Sequence, residues 1–286
     1  MAALDDYINQ VRRLLHDANA SFWTDSELTT DINEARNRVA LDSGSVRSLF
    51  TFYLSESQEA YPYQGAVASI SVVAAGTAYT SAPTIAFTGG GGSGVTATAA
   101  ISSGTISSIT ITANGTGFTA APTISFSGGG GSAATATASI MRALDILSIS
   151  VNRGNSWMSL GYTYFTEFQA KARYYRSVSG QPVMWSKGPP ATTGGGDYFY
   201  IFQIPAESYQ SDIDAIVQPD PLVDGSSTVE QLVYPYTDLV QYYAAYLAKN
   251  KQQEFSESAN FLRIYDELFR RSTANKFQRR VPNPYG

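Results

Sequence analysis

Apolar residues at helical spacing open the chain. Leu4, Ile8, Val11, Leu14, Leu15 and Ala18 line one stripe over residues 4–18, the rhythm of an amphipathic helix. Thr24-Asp25-Ser26-Glu27 reads as a capping box, the hydroxyl accepting from the Glu27 amide while the carboxylate reaches back. A second helix then faces Leu28, Ile32, Ala35 and Val39 inward and stops near Ser43-Gly44. The pair predicts a helical hairpin. From Tyr236 to about Gln252 the helical period returns, with Leu239, Tyr243, Tyr246 and Leu247 on one side. A last helix is expected from about Ser256 to Ala274, burying Phe261, Leu262, Tyr265, Leu268 and Phe269. Pro282 and Pro284 bar helix beyond Val281, so Asn275–Gly286 reads as an extended tail.

Between these ends the period shortens to two. Phe50–Leu54 and Asp145–Val151 have strand character, Trp157–Thr163 reads as a return strand, and Pro182–Ser186, Tyr198–Ile204 and Gln210–Val217 add further strands. Thr166-Glu167-Phe168-Gln169 suggests a capped short helix ending by Gly180. The expected fold class is α+β: a helical bundle from the N- and C-terminal helices with a small antiparallel sheet, residues 1–59 and 142–274, plus an inserted all-β duplicated domain.

That insertion, residues 60–141, is the chain's most distinctive feature. Ile70–Ile101 recurs 39 positions later as Ile109–Ile140, with 20 of 32 positions identical. Tyr79-Thr80-Ser81-Ala82-Pro83-Thr84-Ile85 is echoed by Phe118-Thr119-Ala120-Ala121-Pro122-Thr123-Ile124, and each copy runs on through four glycines into alternating Thr and Ala. Self-similarity of this kind marks an appended module. The pattern predicts two β-modules, the second turning at Asn114-Gly115, whose ends must lie close together to be inserted between strands. No charged residue falls between Ala60 and Met141, although the chain carries 24 Asp and Glu against 19 Lys and Arg.

The chemistry is sparse. There is one histidine, His16, and no cysteine, so thiolate metal sites, disulfides and a Cys–His nucleophile are excluded. His16 reads as a surface or helix-end residue. No Gly-x-Ser-x-Gly elbow occurs. Gly89–Gly92 and Gly128–Gly131 lack the Gly-Lys-Ser/Thr of a phosphate loop, and turns are the better reading. Glu56 with Glu59 and Glu254 with Glu257 are spaced like solvated surface rather than a glycosidase pair. No catalytic residue, cofactor or metal is expected. No apolar run approaches the roughly 20 residues of a membrane span, and the start, Met1-Ala2-Ala3-Leu4-Asp5-Asp6, has no signal-peptide pattern. A net charge of −5 argues against coating nucleic acid by counterion release.

Two features point to partners. Ser256–Gly286 is locally +3, from six cations (Arg263, Arg270, Arg271, Lys276, Arg279, Arg280) against Glu257, Asp266 and Glu267. Cations suit a helix C-terminus, but Arg with Phe277, Pro282 and Tyr285 also makes a docking segment. Tyr242, Tyr243 and Tyr246 place tyrosines around one helix, more than a small monomer buries, and suggest an inter-subunit surface.

Phe22-Trp23-Thr24-Asp25-Ser26-Glu27-Leu28 with Asp31-Ile32-Asn33-Glu34-Ala35-Arg36 resembles the opening hairpin of tailed-bacteriophage head-to-tail adaptor (connector) proteins. Phe165–Ala170, Gly180-Gln181-Pro182 and Ile204-Pro205 are similar to their middle section, and Tyr242–Ala248 to their penultimate helix. The glycine-rich duplication departs from that pattern. The resemblance implies a structural virion protein at the head–tail interface, made in the host cytoplasm and forming a ring, usually of twelve copies. DNA would pass through the lumen without specific binding, and no membrane is involved. The implied partners are the portal protein, a tail nozzle or tail-tube protein, and a tail fibre. Arg270, Arg271, Lys276, Phe277, Arg279, Arg280, Pro282 and Tyr285 would dock into the portal; the insertion would face outward toward fibre, nozzle or capsid. Two rivals are an adaptor with peptidoglycan hydrolase activity and a glycan-binding adhesin.

Overall fold

The computed structural model describes residues 4–154, 156–175, 178–189, 198–223 and 229–277. Helices α1 (Leu4–Leu14) and α2 (Asp25–Ser43) come first. Thr24 caps α2 in a complete capping box, and Gly44, at φ 56°, ends it with its N–H on the Ala40 carbonyl. Strands β1 (Arg47–Leu54) and β2 (Ala60–Pro62) lead into the insertion. This comprises β3 (Gln64–Thr77), β4 (Thr84–Thr88), β5 (Ser93–Ser102), β6 (Thr105–Thr116), β7 (Thr123–Ser127) and the first half of β8 (Ser132–Asn152). Short strands β9 (Trp157–Ser159) and β10 (Gly161–Tyr162) precede α3 (Phe165–Tyr175). After it come β11 (Ser179–Gly180), β12 (Met184–Gly188), β13 (Tyr198–Phe202), β14 (Ile204–Pro205) and β15 (Tyr209–Val217), then α4 (Thr237–Lys251) and α5 (Phe255–Phe277).

The chain divides into two compact units, 1–47 with 216–286, and 48–215. The first is helical; the second is a β structure. Strand outweighs helix, 42% to 29%, in large antiparallel sheets. The expected helical bundle with a small sheet is therefore wrong in its proportions. Among the host strands, β1, β9 and β15 join β8 and the insertion's β3, β4 and β7 in one seven-stranded sheet, while β10, β12, β13 and β2 form a four-stranded sheet of their own and β11 pairs with β14. β8 runs 21 residues without a break, from the repeat's last strand into the host strand. The host core gathers Phe52, Leu54, Tyr61, Met141, Ile146, Ile149, Trp185, Phe199, Ile201 and Ile213 from both sources. A sheet that shares a strand with its insert cannot be sized from either part alone.

Three smaller expectations also shift. Ala60–Pro62 belongs to the host's four-stranded sheet, pairing with β13, so the insertion proper begins at Gln64. Trp157–Thr163 is two short strands, on β8 and β12 respectively. α3 starts at Phe165, which puts Thr166 inside the first turn rather than at the cap.

Within the insertion the two copies interlock. β3 of the first pairs with β8 of the second, from Ile70↔Ala138 to Thr77↔Ser132. β6 of the second pairs with β5 of the first, from Ala99↔Ile109 to Ser93↔Thr116. Each of these pairs becomes the other when 39 is added to its first-copy residue and subtracted from its second-copy residue. β4 and β7 pair across the same centre, Ala86 opposite Ser125. Phe118 N–H donates to the Gly65 carbonyl and Tyr79 N–H to that of Gly104, again 39 apart. The structural copies are thus Gln64–Ser102 and Ser103–Met141, longer than the identity alone showed, related by a pseudo-twofold axis. Ser103 and Gly104, at φ 52° and 75°, form the two-residue turn joining them. The insertion's ends meet where Gln64 pairs with Arg142.

This corrects the picture of two separate modules turning at Asn114-Gly115. Both residues lie inside β6. Asn114 is buried, and its amide donates to the Val67 carbonyl at 2.8 Å. The tetraglycines connect β4 to β5 and β7 to β8, as the turn reading expected, and their later glycines also pack against aromatic rings. A Cβ on Gly131 would stand 2.5 Å from the Tyr79 ring, and one on Gly92 2.5 Å from the Phe118 ring. Each aromatic therefore lies on the glycines of the other copy.

Candidate interaction site

The helical unit is organised around α4, which packs on α1, α2 and α5. Its buried face is Leu239, Val240, Ala244, Ala245 and Ala248, not the tyrosine side that the sequence suggested. Alanines let three neighbouring helices approach closely. Tyr242, Tyr243 and Tyr246 are only half-buried. Tyr243 meets Tyr246 at 5.3 Å and Tyr265 of α5 at 5.2 Å between ring centres. Two of the three proposed inter-subunit tyrosines thus already pack within their own chain.

On α5 only Tyr265 of the five expected core residues is fully buried; Phe261, Leu262, Leu268 and Phe269 are partly buried, and Phe255 is 65% exposed. The Tyr265 hydroxyl donates to Asp42 at 2.7 Å, and burial followed by this carboxylate pushes its pKa up. Arg270 and Arg271 are exposed near the end of α5, Arg271 bonding Glu267 one turn back. Lys276 and Phe277 fall on the helix's last turn, because α5 continues three residues past Ala274. Nothing in Asn275-Lys276-Phe277 breaks a helix, and the nearest proline is five residues farther on. Arg279, Arg280, Pro282 and Tyr285 lie outside the described residues.

Buried charge pins this unit together. Arg36 makes a two-pronged pair with Glu230, both bonds 2.9 Å and both side chains 1% exposed. The remaining guanidinium nitrogen donates to Asn33 and to the Asp220 carbonyl. Asn33 in turn exchanges two bonds with the Leu222 backbone. The segment between β15 and α4 is thereby fastened to α2. Sequence reasoning missed this centre, although Arg36 one turn after Ile32 on the apolar face was a signal for it. Arg12 holds the α1–α2 turn, bonding Asp17, Asp25 and the Trp23 carbonyl. Asp17 accepts backbone N–H groups of Trp23, Ser21 and Phe22, which with Arg12 hold its carboxyl below the usual range. Asp31 is fully buried against Lys251, and desolvation raises its pKa.

No protein-family model matches the chain, and no curated protein matches it in sequence. The chemistry must therefore be read from its own residues. Among the described residues, no three His, Cys, Asp or Glu side chains cluster as a metal site requires, and no helix is long and apolar enough to cross a membrane. His16 is exposed, two residues beyond α1. A polar cavity of about 290 Å³ is lined by Asn152, Arg153, Gln181, Glu207, Tyr209 and Gln210 among others. Among the described residues, Glu207 is the single carboxylate on its wall, whereas glycoside hydrolysis uses a pair.

Proposed function

We propose that the chain is a structural head-to-tail adaptor of a tailed bacteriophage, forming a ring of twelve copies between the portal and a tail nozzle or tail-tube protein. DNA passes through the ring without specific binding. The C-terminal segment docks into the portal, and the insertion faces outward toward fibre, nozzle or capsid. The observation that carries this reading is α5. One side packs on α4, while Phe261, Leu262, Leu268 and Phe269 are only partly buried beside the exposed Arg270 and Arg271. A helix whose core is completed only in part, and whose end carries exposed arginines, suits a subunit that neighbours must finish.

The test mixes the purified chain with portal assemblies and images them by electron microscopy. A ring on the portal is expected, and loading should fail when the chain is truncated after Ala274. Absence of a ring, or undiminished loading of the truncated chain, would refute the adaptor or the docking assignment respectively.

A further inference from the structure

Apart from a single contact inside the second copy, Thr123↔Thr137, the insertion's strand pairings run between copies. Neither copy supplies its own partner. The first strand of each finds the last strand of the other, and each aromatic finds the other's glycines. The covalent link between copies is the two-residue turn Ser103-Gly104. In symmetry terms, the insertion is a homodimer written into one chain.

We infer that the insertion is a joint between subunits, in which the first copy of one chain pairs with the second copy of another. The partner is a second molecule of this chain. Gln64 pairs with Arg142 and Met141 lies in the host core, so each copy carries with it the host segment it continues into; exchange of everything beyond the turn then preserves the strand pairing, the aromatic–glycine contacts and the register, and the turn opens into continuous strand. Neither copy carries a charge, so two insertions meet without electrostatic repulsion. Wherever subunits are held side by side, the high effective concentration of a neighbour's copy competes with the chain's own. This inference does not rest on the adaptor reading and survives its failure.

The test uses the absence of native cysteine. Ala86 and Ser125 are exposed and directly opposite each other at the axis, within disulfide reach. Full-length chains bearing Ala86→Cys or Ser125→Cys are co-expressed, oxidised and run without reductant. A species of twice the chain mass is expected from the co-expressed pair. It should be absent from either variant alone and from the two purified separately and then mixed. Single-mass species throughout, while the Ala86→Cys/Ser125→Cys double variant closes its internal disulfide, overturns the exchange. A double variant that fails to close overturns the pairing itself. As a second measurement, deleting residues 103–141 joins Ser102 to Arg142 at the equivalent of Met141. That one-copy chain should elute at twice its mass, and Ala86→Cys in it should cross-link to itself across the axis. A folded, monomeric one-copy chain contradicts the inference.

Discussion

The helical unit and the insertion hold themselves together by opposite means. Arg36–Glu230 and Arg12–Asp17 fasten the helices with charges removed largely from water, and the half-exposed Lys251 covers the buried Asp31. The insertion does without charge. It relies on backbone ladders, aromatic rings laid on glycine, and one buried amide. Ionic centres fix a few points strongly and respond to pH; an uncharged interlock spreads its stabilisation along every strand and responds to side-chain volume.

The contrast breaks most visibly at Glu230. Replacing it by Ala leaves Arg36 buried and unpaired, and should cost about 3–5 kcal/mol in chemical unfolding of the helical signal. In the insertion the largest effect should come from volume. Gly131→Ala drives a methyl toward the Tyr79 ring and the Thr77 carbonyl, 2.5 and 2.6 Å away. About 1–3 kcal/mol should be lost, and Gly92→Ala should match it if the twofold holds energetically. A marked inequality between these variants would show that the copies are symmetric in path but not in load. Asn114→Ala strips the Val67 carbonyl of a buried donor and should cost about 1–2 kcal/mol. Ala75, its counterpart in the first copy, is only partly buried, so Ala75→Ser should fall within about 0.5 kcal/mol.

Acid separates the two regions differently. Asp17 has its carboxyl pKa lowered by folding, so its contribution is present above the ordinary Asp value of about 3.9 and lost as pH falls through the lower folded value. Asp17→Asn should therefore destabilise the helical unit near neutrality, with the gap from the parent chain closing toward pH 2–3. Urea unfolding at the two pH values measures this; a constant gap would contradict it. The insertion, without carboxylates, contributes nothing to that difference. The smallest effect runs the other way. Ala78 and Ala133 have φ of 62° where their counterparts Gly117 and Gly94 are glycine. Ala78→Gly and Ala133→Gly should each raise stability by about 0.5–1 kcal/mol, the left-handed penalty less the entropy of glycine, read as a rise in melting temperature.

What was legible follows from what periodicity encodes. Alternation along Ile109–Thr112 marked a strand and its two faces, and the Thr24 capping box located the start of α2 in one glance. Periodicity does not name partners. Nothing within Ile70–Thr77 says that it pairs with Ser132–Ala138 rather than with its own copy's Ser93–Ala99, since the candidate strands are nearly identical. Asn114-Gly115 carried a turn signature that a buried amide bond overrode. On α4 the aromatic side drew attention, yet Ala244, Ala245 and Ala248 are buried because close helix approach favours small residues. Of the candidate docking residues, Arg270 and Arg271 lie on the helix expected over Ser256–Ala274, and the structure leaves both exposed. Arg36 and Glu230 lie 194 residues apart, a separation at which local pattern carries no information.

β8 crosses from insertion to host as one strand and lies beside β15 in the host sheet. A tug on the insertion therefore enters the host along that strand's axis, where its bonds to β15 are loaded in shear and yield together. Peeled like a zipper, they would have given way one at a time. The appendage is rooted as a tensile member.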